Sequence, residues 1–172
     1  MNYRDTQHPE FAKWIHTTLN VSGQSILDLG CGTKWYYPFL DQCAVTSVDI
    51  WEAYEPDILL NISIDLLPFI TREFDIVLMF DVIEHLSRAQ GKFALSEARR
   101  VCNKELYLLT PVIWMTNEDS FKKDSSSLHY GNTNNLHQSL WDNADFPKRR
   151  GWEKIKAVFN SAEYVFCKWS RS

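Results

Sequence analysis

Three aspartates and two histidines are the residues whose spacing could do chemistry. Asp28 lies inside the short apolar run Ile26 to Leu29, Asp49 closes Val45-Thr46-Ser47-Val48, and Asp81 closes the run Phe74 to Phe80. Such runs read as parallel strands, which are covered on both faces and need not alternate. In an open parallel sheet, ligands bind beyond the carboxyl ends of the strands, so acids at three such ends converge on one crevice. Gly30-Cys31-Gly32 follows the first run at once. Glycines there allow a tight turn and let another molecule lie against bare backbone, with amide N–H groups expected to stand ready to bind it. Asp49 falls roughly as far beyond that turn as the ribose-binding acid of nucleotide folds, about 20 residues. Its bland alternative is a cap or turn acid.

These residues need a scaffold. Pro9-Glu10 opens a helical pattern with Phe11, Trp14, Ile15 and Leu19 on one face, expected to pack on the sheet. Lys34 to Leu40 predicts a short helix confined by Pro38, and Ala44 to Ile50 a second strand. Trp51 to Pro56 reads as a connection, Asp57 to Ile62 as a third strand, and Ile76 to Phe80 as a central fourth. Ser87 with Gln90 fits a capping box before a helix bearing Ala94, Ala98 and Val101 and ending near Asn103. Leu106 to Thr110 is the fifth strand. Val112 to Leu136 has no periodicity and reads as a lid, a binding loop or disorder. Ser139 to Arg150 predicts a short helix ended by Gly151, and Lys154 to Phe159 with Glu163 to Trp169 a closing hairpin. The whole predicts an α/β fold: a Rossmann-like, mostly parallel sheet of about seven strands with a C-terminal antiparallel hairpin and helices on both faces.

Bulk properties narrow the partners. A chain of 172 residues suits a single domain spanning 1–172. Net charge is −4, and the longest basic run is Lys148-Arg149-Arg150, which disfavours nucleic acid. Cysteines at 31, 43, 102 and 167 show no Cys-x-x-Cys and no metal-like grouping with histidine, so no metal site is expected. They read as buried thiols in a reducing compartment. Without a basic-then-apolar leader or an apolar span of about eighteen residues, the expectation is a soluble, cytoplasmic protein that does not cross a membrane.

ILDLGCG, then VDI, then FDIVLMFDVIEHL, in that order, resemble the class I S-adenosylmethionine-dependent methyltransferases. LLTP and LHQSLWDNADFPKRRGW resemble the later NxxxHxSxW…DF…G stretch of one small branch. The resemblance runs from about Ser25 to Trp152. It implies S-adenosylmethionine as cofactor, a methyl transfer to oxygen or nitrogen, and a small-molecule acceptor. It also implies that Gly30, Cys31 and Gly32 lie along the methionine part with Asp28 supporting the loop. Asp49 would take the ribose hydroxyls, Ile50 would border the adenine, and Phe80 and Asp81 the amino acid head. Either Asn61 or Asp65 would meet the adenine amino group. A third glycine of the family's first loop falls at Lys34 or its neighbours Thr33 and Trp35.

Methyl transfer is an in-line displacement at a carbon already activated by the sulfonium, so alignment of two bound molecules does most of the work. A base is needed only if the acceptor loses a proton. His85 and His137 are the candidates, since imidazole titrates near neutral pH. The structural alternative, that each simply anchors a loop, is the weightier one. Trp35, Tyr36, Tyr37, Trp114 and Trp141 could line an acceptor pocket or belong to the core. A nicotinamide-dinucleotide oxidoreductase and a non-catalytic S-adenosylmethionine-binding module are the competing readings, the first weakened by Trp35 where GxGxxG asks for a glycine. The acceptor, and the oligomeric state, have no readable code.

Overall fold

The computed structural model describes residues 9–114, 122, 125–155 and 164–171. Seven strands form one sheet in the order β3-β2-β1-β4-β5-β7-β6. They are β1 (Ser25–Leu29), β2 (Ala44–Asp49), β3 (Ile58–Leu59), β4 (Phe74–Phe80), β5 (Cys102–Pro111), β6 (Trp152–Lys154) and β7 (Tyr164–Ser170). The first five run parallel, and β7 pairs antiparallel with both β5 and β6. The strand order reverses between β1 and β4. At such a switch the crossovers diverge to opposite faces and leave a crevice at the strands' carboxyl ends.

Strand residues alternate between two apolar layers, because successive side chains point to opposite faces. Leu27, Leu29, Val77, Met79, Leu106 and Leu108 pack on one side against Ala94, Leu95, Ala98 and Val101. Those four lie on α2 (Arg88–Val101), whose capping box is formed by Ser87 and Gln90. Ile26, Ile76, Leu78, Tyr107 and Leu109 pack on the other side against Phe11, Ile15 and Leu19. Those come from α1 (Pro9–Trp14) and the wider turn Ile15–Leu19 that continues it. Each fully buried aliphatic side chain stabilises by about 1.5–3 kcal/mol, so both helices are held by their stripes rather than by propensity.

Four local expectations change. The third strand is confined to Ile58–Leu59, because Asn61 turns the chain by accepting the Ser63 N–H at 3.0 Å on its own side-chain oxygen. The helix expected over Lys34 to Leu40 is only a 3-10 turn, Tyr37–Phe39, with Pro38 at its start. The one expected from Ser139 is only Lys148–Arg150, closed by Gly151 at φ 83°. Asp142 and Asp145 instead fold the stretch between into turns through their own carboxylates. The hairpin's first strand is Trp152–Lys154, earlier than Lys154 to Phe159, and residues 156–163 lie outside the described ones. Among the described residues no helix is long and apolar enough to cross a membrane.

Candidate active site

A cavity of about 800 Å³ opens at the carboxyl ends of β1, β2 and β4. Gly30, Cys31, Gly32, Asp49, Ile50, Asn61, Phe80, Asp81, His85 and His137 all line it. Asp28 does not. It lies beneath the glycine turn, fully buried, and accepts the Tyr37 hydroxyl at 3.0 Å on Oδ2. Burial pushes its carboxyl up to about 7, against the lowering effect of the Tyr36 and Tyr37 hydroxyls.

The glycine turn differs from the expectation of waiting amides. Gly30 N–H and Cys31 N–H both donate to the Val48 carbonyl, at 2.8 and 3.2 Å, and Gly32 N–H donates to Asp49 Oδ2 at 3.0 Å. The amides lock β1's exit to β2 and so set the shape of the wall. Gly30 has φ 75°, and a Cβ there would meet Val82 Cγ2 at 2.5 Å; Gly32 has φ 51° and open space where its Cβ would be. The family's third glycine is answered at Lys34, which takes φ 55°. A left-handed conformation costs a side-chain-bearing residue about 1–2 kcal/mol. Lys34 turns away to the Glu55 carbonyl, leaving Thr33 and Trp35 on the wall.

Asp49 also accepts the Trp51 N–H on Oδ1 at 2.9 Å. Burial raises its pKa, opposed by the backbone donors of Trp51, Gly32 and Ile50. The carboxylate is thus fixed in orientation and still borders the cavity. Asn61 Oδ1 is already taken by the Ser63 N–H and hydroxyl, at 3.0 and 2.7 Å, which uses the oxygen expected to accept from an adenine. Asp65 is exposed and is not among the cavity's lining residues. Ser63 and Gln90, neither singled out in the sequence, face the same region.

The opposite end is built by docking. After β4, Asp81 sits at φ 53°, and Ile83–His85 form a 3-10 turn. The segment 137–141 clamps that turn. Gln138 N–H donates to the Glu84 carbonyl at 2.8 Å, Gln138 Nε2 to the His85 carbonyl at 2.8 Å, and the Ser139 hydroxyl to the Leu86 carbonyl at 2.6 Å. Trp141 Nε1 donates to the Ile83 carbonyl at 3.1 Å, and its ring fills the space over Gly91. His85 and His137 consequently meet edge to face, ring centroids 4.9 Å apart. Burial lowers the His137 pKa, and the charge of Asp81 opposes this. Glu84 is 1% exposed, and its Oε2 accepts the Thr110 hydroxyl at 3.0 Å.

A second docked segment closes the Asp49 side. Trp51 Nε1 donates to the Leu128 carbonyl at 3.0 Å, and the Tyr54 hydroxyl meets His129 Nδ1 at 2.5 Å and Asn135 Nδ2 at 3.3 Å. His129, Asn132, Asn134 and Asn135 line the cavity there. Sequence reasoning had only the missing periodicity as a hint. Of the aromatics, Trp35 and Tyr36 line the cavity, Trp141 is core, and Trp114 is half exposed beside His137 at 6.5 Å.

A reversing parallel sheet with a glycine turn and a strand-end acid on one cavity is a Rossmann-like fold of the kind that holds nucleosides. Residues 27–110 match the profile described as a methyltransferase domain. The chain thus carries a stretch, just under half of its length, that matches a methyltransferase domain. Magnesium protoporphyrin IX methyltransferase from Synechocystis PCC 6803, with bound S-adenosylhomocysteine, is similar over 100% of this chain and 89% of its own, at 16% identity and TM-score 0.63. A TehB-like S-adenosylmethionine-dependent methyltransferase from Corynebacterium glutamicum shares 16% identity over 94% and 86%, at TM-score 0.58. A Rhodobacter sphaeroides protein described provisionally as a Zn-dependent alcohol dehydrogenase shares the fold at TM-score 0.64, with 11% identity over 95% and 90%. No curated protein sequence matches the chain.

Proposed function

We propose that the cavity binds S-adenosylmethionine with its ribose on Asp49, its adenine beside Ile50 and Asn61, and its methionine part along Gly30 to Gly32 toward Phe80 and Asp81. The methyl acceptor, a small molecule alkylated at oxygen or nitrogen, then occupies the end near His85 and His137. The observation that carries this reading is the meeting of Gly32, Asp49 and Asp81 on one cavity. A volume of about 800 Å³ lies well inside the range of roughly 300–1,000 Å³ usual for small-molecule sites.

Charge supports the same reading. Asp49, Asp81 and Glu84 line the cavity, and no lysine or arginine does among the described residues. Carboxylates favour a sulfonium cation, and a wall without fixed positive charge disfavours an anionic acceptor held by direct ion pairing. Catalysis is then chiefly alignment, with the reacting carbon held between sulfur and the acceptor. Where the acceptor carries a proton, His137 or His85 is placed to take it.

Calorimetry with S-adenosylhomocysteine tests the assignment. The wild-type chain should bind it, and Asp49→Ala should weaken binding by at least about 100-fold, since two charge-assisted hydrogen bonds at roughly 1.5–3 kcal/mol each are lost. Undiminished binding by Asp49→Ala removes that carboxylate from the ribose.

A further inference from the structure

We propose that Glu84, His85 and His137 form a divalent-cation site at the acceptor end of the cavity. One ligand atom from each lies within 4.8 Å of the others. Three points so placed fit within about 2.8 Å of a common centre, against a bond of about 2.0–2.2 Å from zinc to imidazole nitrogen or carboxylate oxygen. Side-chain shifts of less than about 1 Å therefore complete the first shell. Two imidazoles and a carboxylate suit zinc, manganese, iron or cobalt rather than magnesium or calcium, which prefer all-oxygen sets.

Three features show that the group is built and not a chance meeting. Glu84 and His85 are adjacent in a tight turn, while His137 comes from a segment more than fifty residues later. The clamp through Gln138, Ser139 and Trp141 fixes that segment on the turn, so the two imidazoles are delivered together. Next, Thr110 donates to Glu84 Oε2 at 3.0 Å, an outer contact of the sort that orients a ligating carboxylate. Finally, Asp81 lines the same wall, and no lysine or arginine of the described residues does, so the local field favours a cation. The sequence reading expected no metal, because it sought cysteine clusters and not a turn paired with a remote loop.

Placing the ion on the acceptor side rests on assigning the β1–β2 end to the methyl donor. Three protein ligands leave open positions, which face the cavity and take an acceptor through oxygen. Coordination acidifies that hydroxyl, and its proton passes to water, because imidazoles that ligate the ion no longer serve as the base proposed above. The oxygen then bonds to the methyl carbon as the carbon–sulfur bond breaks, and sulfur keeps the electron pair as a neutral thioether. This narrows the acceptor to an oxygen donor able to ligate a divalent ion.

The test uses the full chain stripped with a chelator, with Mn2+ titrated alone by electron paramagnetic resonance and Co2+ by its visible ligand-field spectrum. One equivalent should bind, with a Co2+ spectrum showing imidazole ligation. His137→Ala and His85→Ala should each weaken Mn2+ at least tenfold while S-adenosylhomocysteine binding persists. The Co2+ spectrum of the wild-type chain decides the matter should either variant fail to fold. Absence of stoichiometric Mn2+ and Co2+ binding by the wild-type chain, or affinity unchanged in both folded variants, overturns the site. S-adenosylhomocysteine binding without metal binding sinks this proposal and leaves the donor reading intact. Metal binding without S-adenosylhomocysteine binding upholds the ion site and sinks the donor reading.

Discussion

The two ends of the cavity are made in different ways. The β1–β2 end is made of strand exits: Gly30 and Cys31 amides on the Val48 carbonyl, and Gly32 on Asp49, join neighbouring strands directly. The β4 end is made by a loop laid on a turn, with the 137–141 segment held to Ile83–Leu86 by side-chain hydrogen bonds and one buried indole. A strand exit inherits its geometry from the sheet, so local substitutions alter chemistry before architecture. A docked loop has only its own contacts to hold it, and losing one of them misplaces every group it carries.

The largest effect expected is on that dock. Trp141 is 2% exposed, spans Phe146 and Gly91, and donates to both Ile83 and Ser139. Trp141→Ala should cost about 3–5 kcal/mol in urea denaturation, by cavity formation and loss of the indole donor. At a temperature where the variant is still folded, binding of S-adenosylhomocysteine should weaken far less than turnover. Equal losses of both would show that the two ends are one cooperative unit and not two constructions.

This contrast also explains what could be read from the chain. Period and β-branching reveal strands, and strand ends reveal Asp49 and Asp81, because both are local consequences of covering a parallel sheet. Asp49 and Gly32 were legible together for that reason. The Tyr54–His129–Asn135 contacts were not, since they join segments about 75 residues apart through polar side chains that leave no periodic trace. Likewise the short turns at Tyr37–Phe39 and Asp142–Asp145 are set by a proline and by side chains bonding their own backbone, which compete with helix formation. His137 was visible as a residue type but its meeting with His85 depended on Ser139 and Trp141, whose function as a clamp only the fold displays.

A second prediction concerns the floor of the strand-built end. Asp28 has its pKa raised from 3.8 to about 7, chiefly by burial. The folded chain therefore holds a proton there that the unfolded chain has released, over the window between those values. Stability must fall as pH rises through that window, by up to about 1.4 kcal/mol per pH unit for this one group, and level off above it. Asp28→Asn keeps an acceptor for Tyr37 and removes the charge. Its urea midpoint should lose this component of the pH dependence and exceed wild type at pH 8. A slope identical to wild type would take the buried proton away from Asp28.

The smallest effect separates wall from scaffold within the glycine turn itself. Both Gly30 and Gly32 have positive φ, so alanine costs each about 1 kcal/mol in strain. Their surroundings differ: a Cβ on Gly30 would strike Val82 at 2.5 Å, while one on Gly32 meets nothing within 4 Å. Val82 is β-branched and buried, so it yields poorly. Gly30→Ala should consequently lower the thermal midpoint more than Gly32→Ala, and Val82→Ala should recover part of that difference in the double variant. Gly32→Ala should instead carry only the backbone strain common to both variants yet bind S-adenosylhomocysteine worse, because its new methyl occupies the wall proposed for the donor. Were Gly32→Ala to bind the nucleoside as well as wild type, the donor would have to pass elsewhere in the cavity, and the strand-built end would be scaffold alone.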